Sequence, residues 1–179
     1  MNNAFRNVIT TEEELREVVG HPSSLVTDKV IDYIDDVCAS FIAASPFMVI
    51  SSADKDGNLD LSPKGDPPGF VMVYDQKTLL IPDRPGNKRA DTLSNILQNP
   101  KIGAFFMVPG KRETLRVSGT AQIVRDEDLL QQFVVKGKPP VLLIAITVEE
   151  AFFHCAKCIV RSQIWDVRDL KLPSLAEAM

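Results

Sequence analysis

Between Phe47 and Val148 short apolar runs are separated by tight turns, and this spacing constrains the fold more than any other feature of the chain. The run 47–52 reads as a strand, Asp56-Gly57 as a hairpin turn, and 58–62 as the return strand. A second hairpin follows at 70–74 and 78–81, joined by Asp75-Gln76-Lys77. A third joins 102–108 to the alternating stretch 114–124 through Pro109-Gly110. The run 141–148 has no polar face, as expected of a strand buried on both sides. Six short strands in hairpins argue for a small antiparallel barrel rather than a doubly wound sheet, so the expected class is α+β, barrel-centred.

Helices are expected around this barrel. Thr11 followed by Glu14 reads as a capped start, with Gly20 as the stop. Val30, Ile31, Ile34, Val37, Cys38, Phe41 and Ile42 recur at helical spacing until Pro46, predicting a second helix over 30–42. A third should follow Asn87 as its cap, with Ala90, Leu93, Ile96 and Leu97 on one face, and end at Asn99-Pro100. Asp126 caps a short fourth, and the tail after Cys155 is expected to be helical to about Leu172. The resulting division is a helical extension over 1–44 packed on the barrel, a barrel domain over 45–166, and a tail over 167–179.

The net charge of −4 and pI near 5.2 argue against nucleic acid or an acidic membrane as a partner. No apolar run approaches the roughly 20 residues that span a bilayer, and the first residues lack a signal peptide's apolar segment. The expected location is the cytoplasm. Three cysteines fit reduced thiols there better than a disulfide framework.

Any anion must therefore be bound locally, and one stretch is suited to it. After Ile81 the chain runs Pro82-Asp83-Arg84-Pro85-Gly86-Asn87-Lys88-Arg89, a turn leading into a helix with adjacent cations. A helix start offers unpaired N–H groups, and Lys88 and Arg89 would add two formal charges. The Pro- and Gly-rich stretch 62–69, read as a loop, places Lys64 where it could reach a ligand oxygen. Cys155 and Cys158 form a C-x-x-C pair without the further ligands of a zinc site, the following His of a haem attachment, or a βαβ setting, so a structural role is favoured and no metal is expected. His154 and Cys155 are strand neighbours pointing to opposite faces, which argues against a dyad. Arg161 and Trp165, four apart, should share a helix face, which could cover a planar ligand, although a Trp docking a terminal helix on the core is the commoner role.

In this order, the hairpins, the Ser62-Pro63-Lys64-Gly65 stretch, the Asn87-Lys88-Arg89 turn, the strand with Arg116-Val117-Ser118-Gly119 and the terminal Arg161-Ser162 and Trp165 resemble the pyridoxamine 5′-phosphate oxidase-like FMN-binding split-barrel family. The likeness spans about 45–166 and points to a branch apart from the vitamin-B6 oxidases. It implies a six-stranded antiparallel split β-barrel of Greek-key type, forming a homodimer with FMN in grooves at the subunit interface. It places the flavin phosphate at Asn87, Lys88 and Arg89, the flavin and ribityl chain along Ser62, Pro63, Lys64 and Gly65, and the flavin edge against Thr114 and Arg116. Arg161 and Trp165 match residues that the family usually brings from the second subunit. The C-terminal Arg–His pattern of the vitamin-B6 oxidases is missing, which argues against pyridoxamine phosphate as substrate. The implied activity is FMN-dependent oxidoreduction of a small molecule by hydride transfer at flavin N5. The alternatives are a flavin- or haem-binding module without turnover and, more weakly, a dithiol protein using Cys155 and Cys158.

Overall fold

The computed structural model describes residues 4–167, and the end of the tail, 168–179, lies outside them. The chain divides between Val30 and Ile31 into two compact units.

The smaller unit holds α1 (Glu12–Val19) and the single turn α2 (Ser24–Thr27). The start of α1 is sealed as its sequence indicates. Thr11 Oγ1 accepts from Glu14 N–H at 3.2 Å, and Glu14 Oε2 accepts from Thr10 N–H at 2.9 Å. Gly20, at φ 72°, ends the helix and its N–H bonds Arg16 O.

In the larger unit the expected helix over 30–42 is shortened to α3 (Asp36–Ala44). Backbone pairing overrides the apolar spacing ahead of it: Ile31 exchanges hydrogen bonds with Ala151 at 3.0 and 2.7 Å, and Ile34 N–H donates to Gln76 O at 2.7 Å. Asp35 then caps α3, its Oδ1 accepting from Cys38 N–H at 2.7 Å. That bond holds the Asp35 carboxyl below its ordinary value of 3.8, against the opposing effect of burial. Asp35→Ala should destabilise the protein by about 1 kcal/mol at neutral pH. Because the folded state depresses this pKa, the wild-type advantage should be complete above about pH 5 and should shrink as pH falls through 3.8 and below, read from denaturant melts of both proteins.

The strands are β1 (Phe47–Ala53), β2 (Leu59–Gly65), β3 (Met72–Asp75), β4 (Thr78–Asp83), β5 (Lys101–Met107), β6 (Thr114–Val124) and β7 (Leu142–His154). Among the described residues they form one antiparallel sheet of seven strands, as many as the runs read from sequence and one more than the resemblance implies, in the order β2-β1-β5-β6-β7-β4-β3. Its edges, β2 and β3, leave the sheet open, which makes this a split barrel. The stretch 62–65 is part of β2 rather than a loop. Pro63 is tolerated there because β2 is an edge and needs no outward N–H donor.

Alternating side chains of β1, β4, β5, β6 and β7, including Ile50, Ile81, Phe106, Val117 and Ile146, fill one core closed by Cys38 and Ile42 of α3 and Ile96 of α4 (Asp91–Gln98). A second cluster of Leu80, Leu143, Leu130 and Phe133 lies under α5 (Glu127–Gln131). Leu143 and Ile144 are both fully buried, as expected of a strand covered on both faces.

Two helix boundaries differ from expectation at positions that matter for function. α4 begins at Asp91, not directly after Asn87: Asn87 Oδ1 accepts Arg89 N–H at 3.0 Å in a local turn, and Lys88 (φ 63°) and Ala90 (φ 58°) are left-handed. Lys88 and Arg89 therefore lie on the loop before the helix. α6 (Lys157–Ser162) ends where Gln163 turns left-handed at φ 49°, so Arg161 and Trp165 do not share a helix face. No helix among the described residues is long and apolar enough to cross a membrane.

Candidate functional site

A cavity of about 620 Å³ opens where edge strand β2 faces the end of β4 and the loop into α4, with Val141 and Leu142 at the start of β7 as a further wall. Its size is that of a small-molecule site. Ser62, Pro63, Lys64, Asn87, Lys88 and Arg89, all expected from sequence, line it together. Gly65 does not.

Alternation along β2 turns Lys64 inward. Its Nζ donates to Asp83 Oδ1 at 2.9 Å, and both side chains are only 20% exposed. Arg84, next along, donates through Nε to Asp66 Oδ2 at 2.7 Å and through Nη1 to Phe133 O at 2.8 Å. These bonds brace the cavity wall and fix two positive charges in it. The start of α4 is tied down by Thr92 Oγ1, which donates to Asp60 Oδ2 at 2.8 Å, and by Asn95 Nδ2, which donates to Ser52 Oγ at 3.1 Å. The loop 86–90 is thus held against β2.

On that loop Arg89 donates through Nε to Asp91 Oδ2 at 2.7 Å, and Asp91, then Asp60, push the guanidinium pKa up. Lys88 is the one cavity cation without a carboxylate partner among the described residues. Asp83, Arg84, Asp60 and Asp91 were not singled out from sequence. Arg84 could have been, since it sits within the stretch that drew attention to Lys88; Val141 and Leu142 carry no sequence signal.

The remaining expected residues lie elsewhere in the chain. Thr114 is 1% exposed, and its Oγ1 is buried with no hydrogen-bond partner among the described residues. Arg116 stands on the outer face of the sheet, with Cζ 4.3 Å from the Phe152 ring centre and Nη2 donating to Glu150 at 2.9 Å. Phe105, Phe152 and His154 cluster on this face, His154 lying 4.8 Å from Phe152. Trp165 Nε1 donates to Lys111 O at 2.6 Å, which pins the end of the described chain to the β5–β6 turn.

Cys155 and Cys158 are exposed free thiols. Cys38 is buried, its thiol pushed up to about 12 by burial and then by the Asp35 carboxylate. Among the described residues no group of three or more His, Cys, Asp or Glu is placed to hold a metal ion.

No curated protein sequence matches this chain. Solved structures do. HupZ from Group A Streptococcus matches with a TM-score of 0.54 at 20% identity, covering 67% of this chain and 93% of HupZ. A candidate pyridoxamine 5′-phosphate oxidase from Lactobacillus delbrueckii matches with a TM-score of 0.53 at 20% identity, covering 68% of this chain and 95% of its own. The conserved hypothetical protein Rv2991 from Mycobacterium tuberculosis matches with a TM-score of 0.50 at 11% identity, covering 81% and 96%. At these identities the likeness is one of fold. The profile described as pyridoxamine 5′-phosphate oxidase matches residues 34–155, more than half of the chain, and with the split-barrel topology it shows that this chain belongs to the pyridoxamine 5′-phosphate oxidase family.

Proposed function

We propose that this protein is an FMN-binding flavoprotein acting as an oxidoreductase on a small molecule in the cytoplasm. The observation that carries this reading is the cavity at the split of the barrel, where Lys64, Arg84, Lys88 and Arg89 converge on a volume suited to a phosphorylated small molecule. Bound there, FMN would supply hydride transfer at N5.

The residues of the chain bind and orient. Lys88 and Arg89 hold the phosphate. Ser62 and Pro63 line the adjoining wall, and Lys64, held on Asp83, would offer a fixed N–H donor to the bound ligand there. No side chain need act as acid or base. Among the described residues the cavity lining holds no His, Cys, Met or Tyr that could ligate a haem iron, which favours a phosphorylated flavin over haem.

A homodimer completes the reading. Arg116, Arg161 and Trp165 do not line the cavity of their own chain, and a second copy packed on the sheet would bring its own set to the open groove. The exposed Leu59 and Leu61 of β2 supply apolar surface for that contact.

The test is an absorption spectrum of the purified full-length protein, before and after incubation with FMN, followed by gel filtration and a reduced-nicotinamide oxidation assay. Flavin bands that co-elute with a dimer are expected. Protein that neither retains nor rebinds FMN would sink the proposal, a haem spectrum would replace it, and bound FMN without turnover would leave a carrier.

A further inference from the structure

The cavity is less positive than its four cations imply. Lys64, Arg84, Lys88 and Arg89 share it with Asp60, Asp83 and Asp91, a net charge of +1. Three of the cations already hold a carboxylate: Lys64 on Asp83, Arg84 on Asp66, and Arg89 on Asp91.

These pairs are not alike. The first two lie largely inside the wall, and Arg84 is further tied to Phe133 O. In the third, Arg89 is 73% and Asp91 43% exposed, so the pair can open to solvent without disturbing the wall. Asp91 Oδ2 engages the guanidinium at 2.7 Å, in the way a ligand oxygen would. Asp60 is unlike Asp91, because one of its oxygens is already held by Thr92.

We propose that Asp91 is a specificity-determining counter-ion of this anion site: it holds Arg89 in place of a ligand phosphate and leaves Lys88 as the first anchor. Arg89 is then recruited by a ligand whose charge outcompetes a tethered carboxylate. A phosphate dianion does so better than a monoanion, and a neutral ligand does not do so at all. Asp91 thereby lowers affinity for every anion and sharpens the preference for phosphomonoesters. This inference rests on the phosphate-site reading above.

The experiment titrates FMN and riboflavin, by flavin fluorescence, into the full-length wild type, Asp91→Asn, Asp91→Ser, Arg89→Ala and the Arg89→Ala/Asp91→Asn pair. Asp91→Asn should bind FMN about three- to tenfold more tightly with riboflavin unchanged, and Arg89→Ala should weaken FMN binding more in the Asp91→Asn background than in wild type. Asp91→Ser, which keeps a polar side chain at the helix start, gives the same reading should the Asn variant fold poorly. Unchanged or weaker FMN binding in a folded Asp91 variant overturns the inference and leaves the phosphate site standing. Equal tightening of riboflavin overturns it as well. Wild type that binds no FMN overturns both.

Discussion

Replacing Lys88 and Arg89 together by alanine is expected to weaken FMN binding at least about a hundredfold while the melting temperature stays within a degree or two of wild type. The size of the loss follows from the chemistry of the contact. Hydrogen bonds from a cation to a phosphate oxygen are about twice as strong as neutral ones, and this change removes two such donors, leaving among the described residues only Lys64 and Arg84, each already paired with a carboxylate. The stability of the fold should not follow. Neither side chain belongs to the core, the Arg89–Asp91 pair is exposed, and α4 remains held to the sheet by Thr92 on Asp60 and Asn95 on Ser52. Riboflavin affinity should change little. If the double variant retained FMN through gel filtration as the wild type does, the phosphate would have to bind elsewhere in the cavity, with Lys64 and Arg84 as the remaining cations.

How far the sequence could be read depends on the range over which each feature is decided. The hairpins were legible because their signals are local: Asp56-Gly57, Asp75-Gln76-Lys77 and Pro109-Gly110 each sit between runs of strand period, and each joins neighbouring antiparallel strands. The helix over 30–42 was misread because its apolar spacing is real, but Ile31 and Ile34 are held by backbone bonds to Ala151 and Gln76, far away in the chain. The start of α4 was misplaced for the opposite reason. An Asn followed by two cations fits a capped helix equally well, and only the left-handed Lys88 and Ala90 show that the helix starts at Asp91.

The same distinction applies to the site. Ser62, Pro63, Lys64, Asn87, Lys88 and Arg89 were found as two separate stretches, and β2 and the β4–α4 loop bring them together at the split of the barrel. The carboxylates that neutralise most of the positive charge went unnoticed, because an Asp in a turn or strand end has a sufficient local explanation and its pairing with Lys64 or Arg84 is tertiary. Thr114 stands on the expected strand with its hydroxyl buried and unpartnered among the described residues, a state that no local pattern signals.

Gly119 is a residue whose importance only the structure reveals, and Gly119→Ala is expected to destabilise the protein by about 3 kcal/mol or more, lowering the melting temperature by roughly 6–12 °C. In sequence it reads as one small residue in an alternating strand. In the structure β6 shifts register against β7 between Ser118 and Gly119, and a Cβ at Gly119 would lie 1.9 Å from Thr147 O and 3.0 Å from its carbonyl carbon. Both are backbone atoms in the longest ladder of the sheet, so no rotamer change relieves the clash. The strands must separate locally and surrender hydrogen bonds. Because β7 begins at Leu142 in the cavity wall, flavin retention should fall with stability. Gly103 supplies the control. A Cβ there would lie 2.6 Å from Ser51 Oγ, the far end of a side chain that can rotate away, so Gly103→Ala should cost less than about 1 kcal/mol. Thermal melts of the two variants decide the matter: equal losses would mean that the missing flexibility of glycine, and not the approach of the Thr147 backbone, sets the requirement at Gly119.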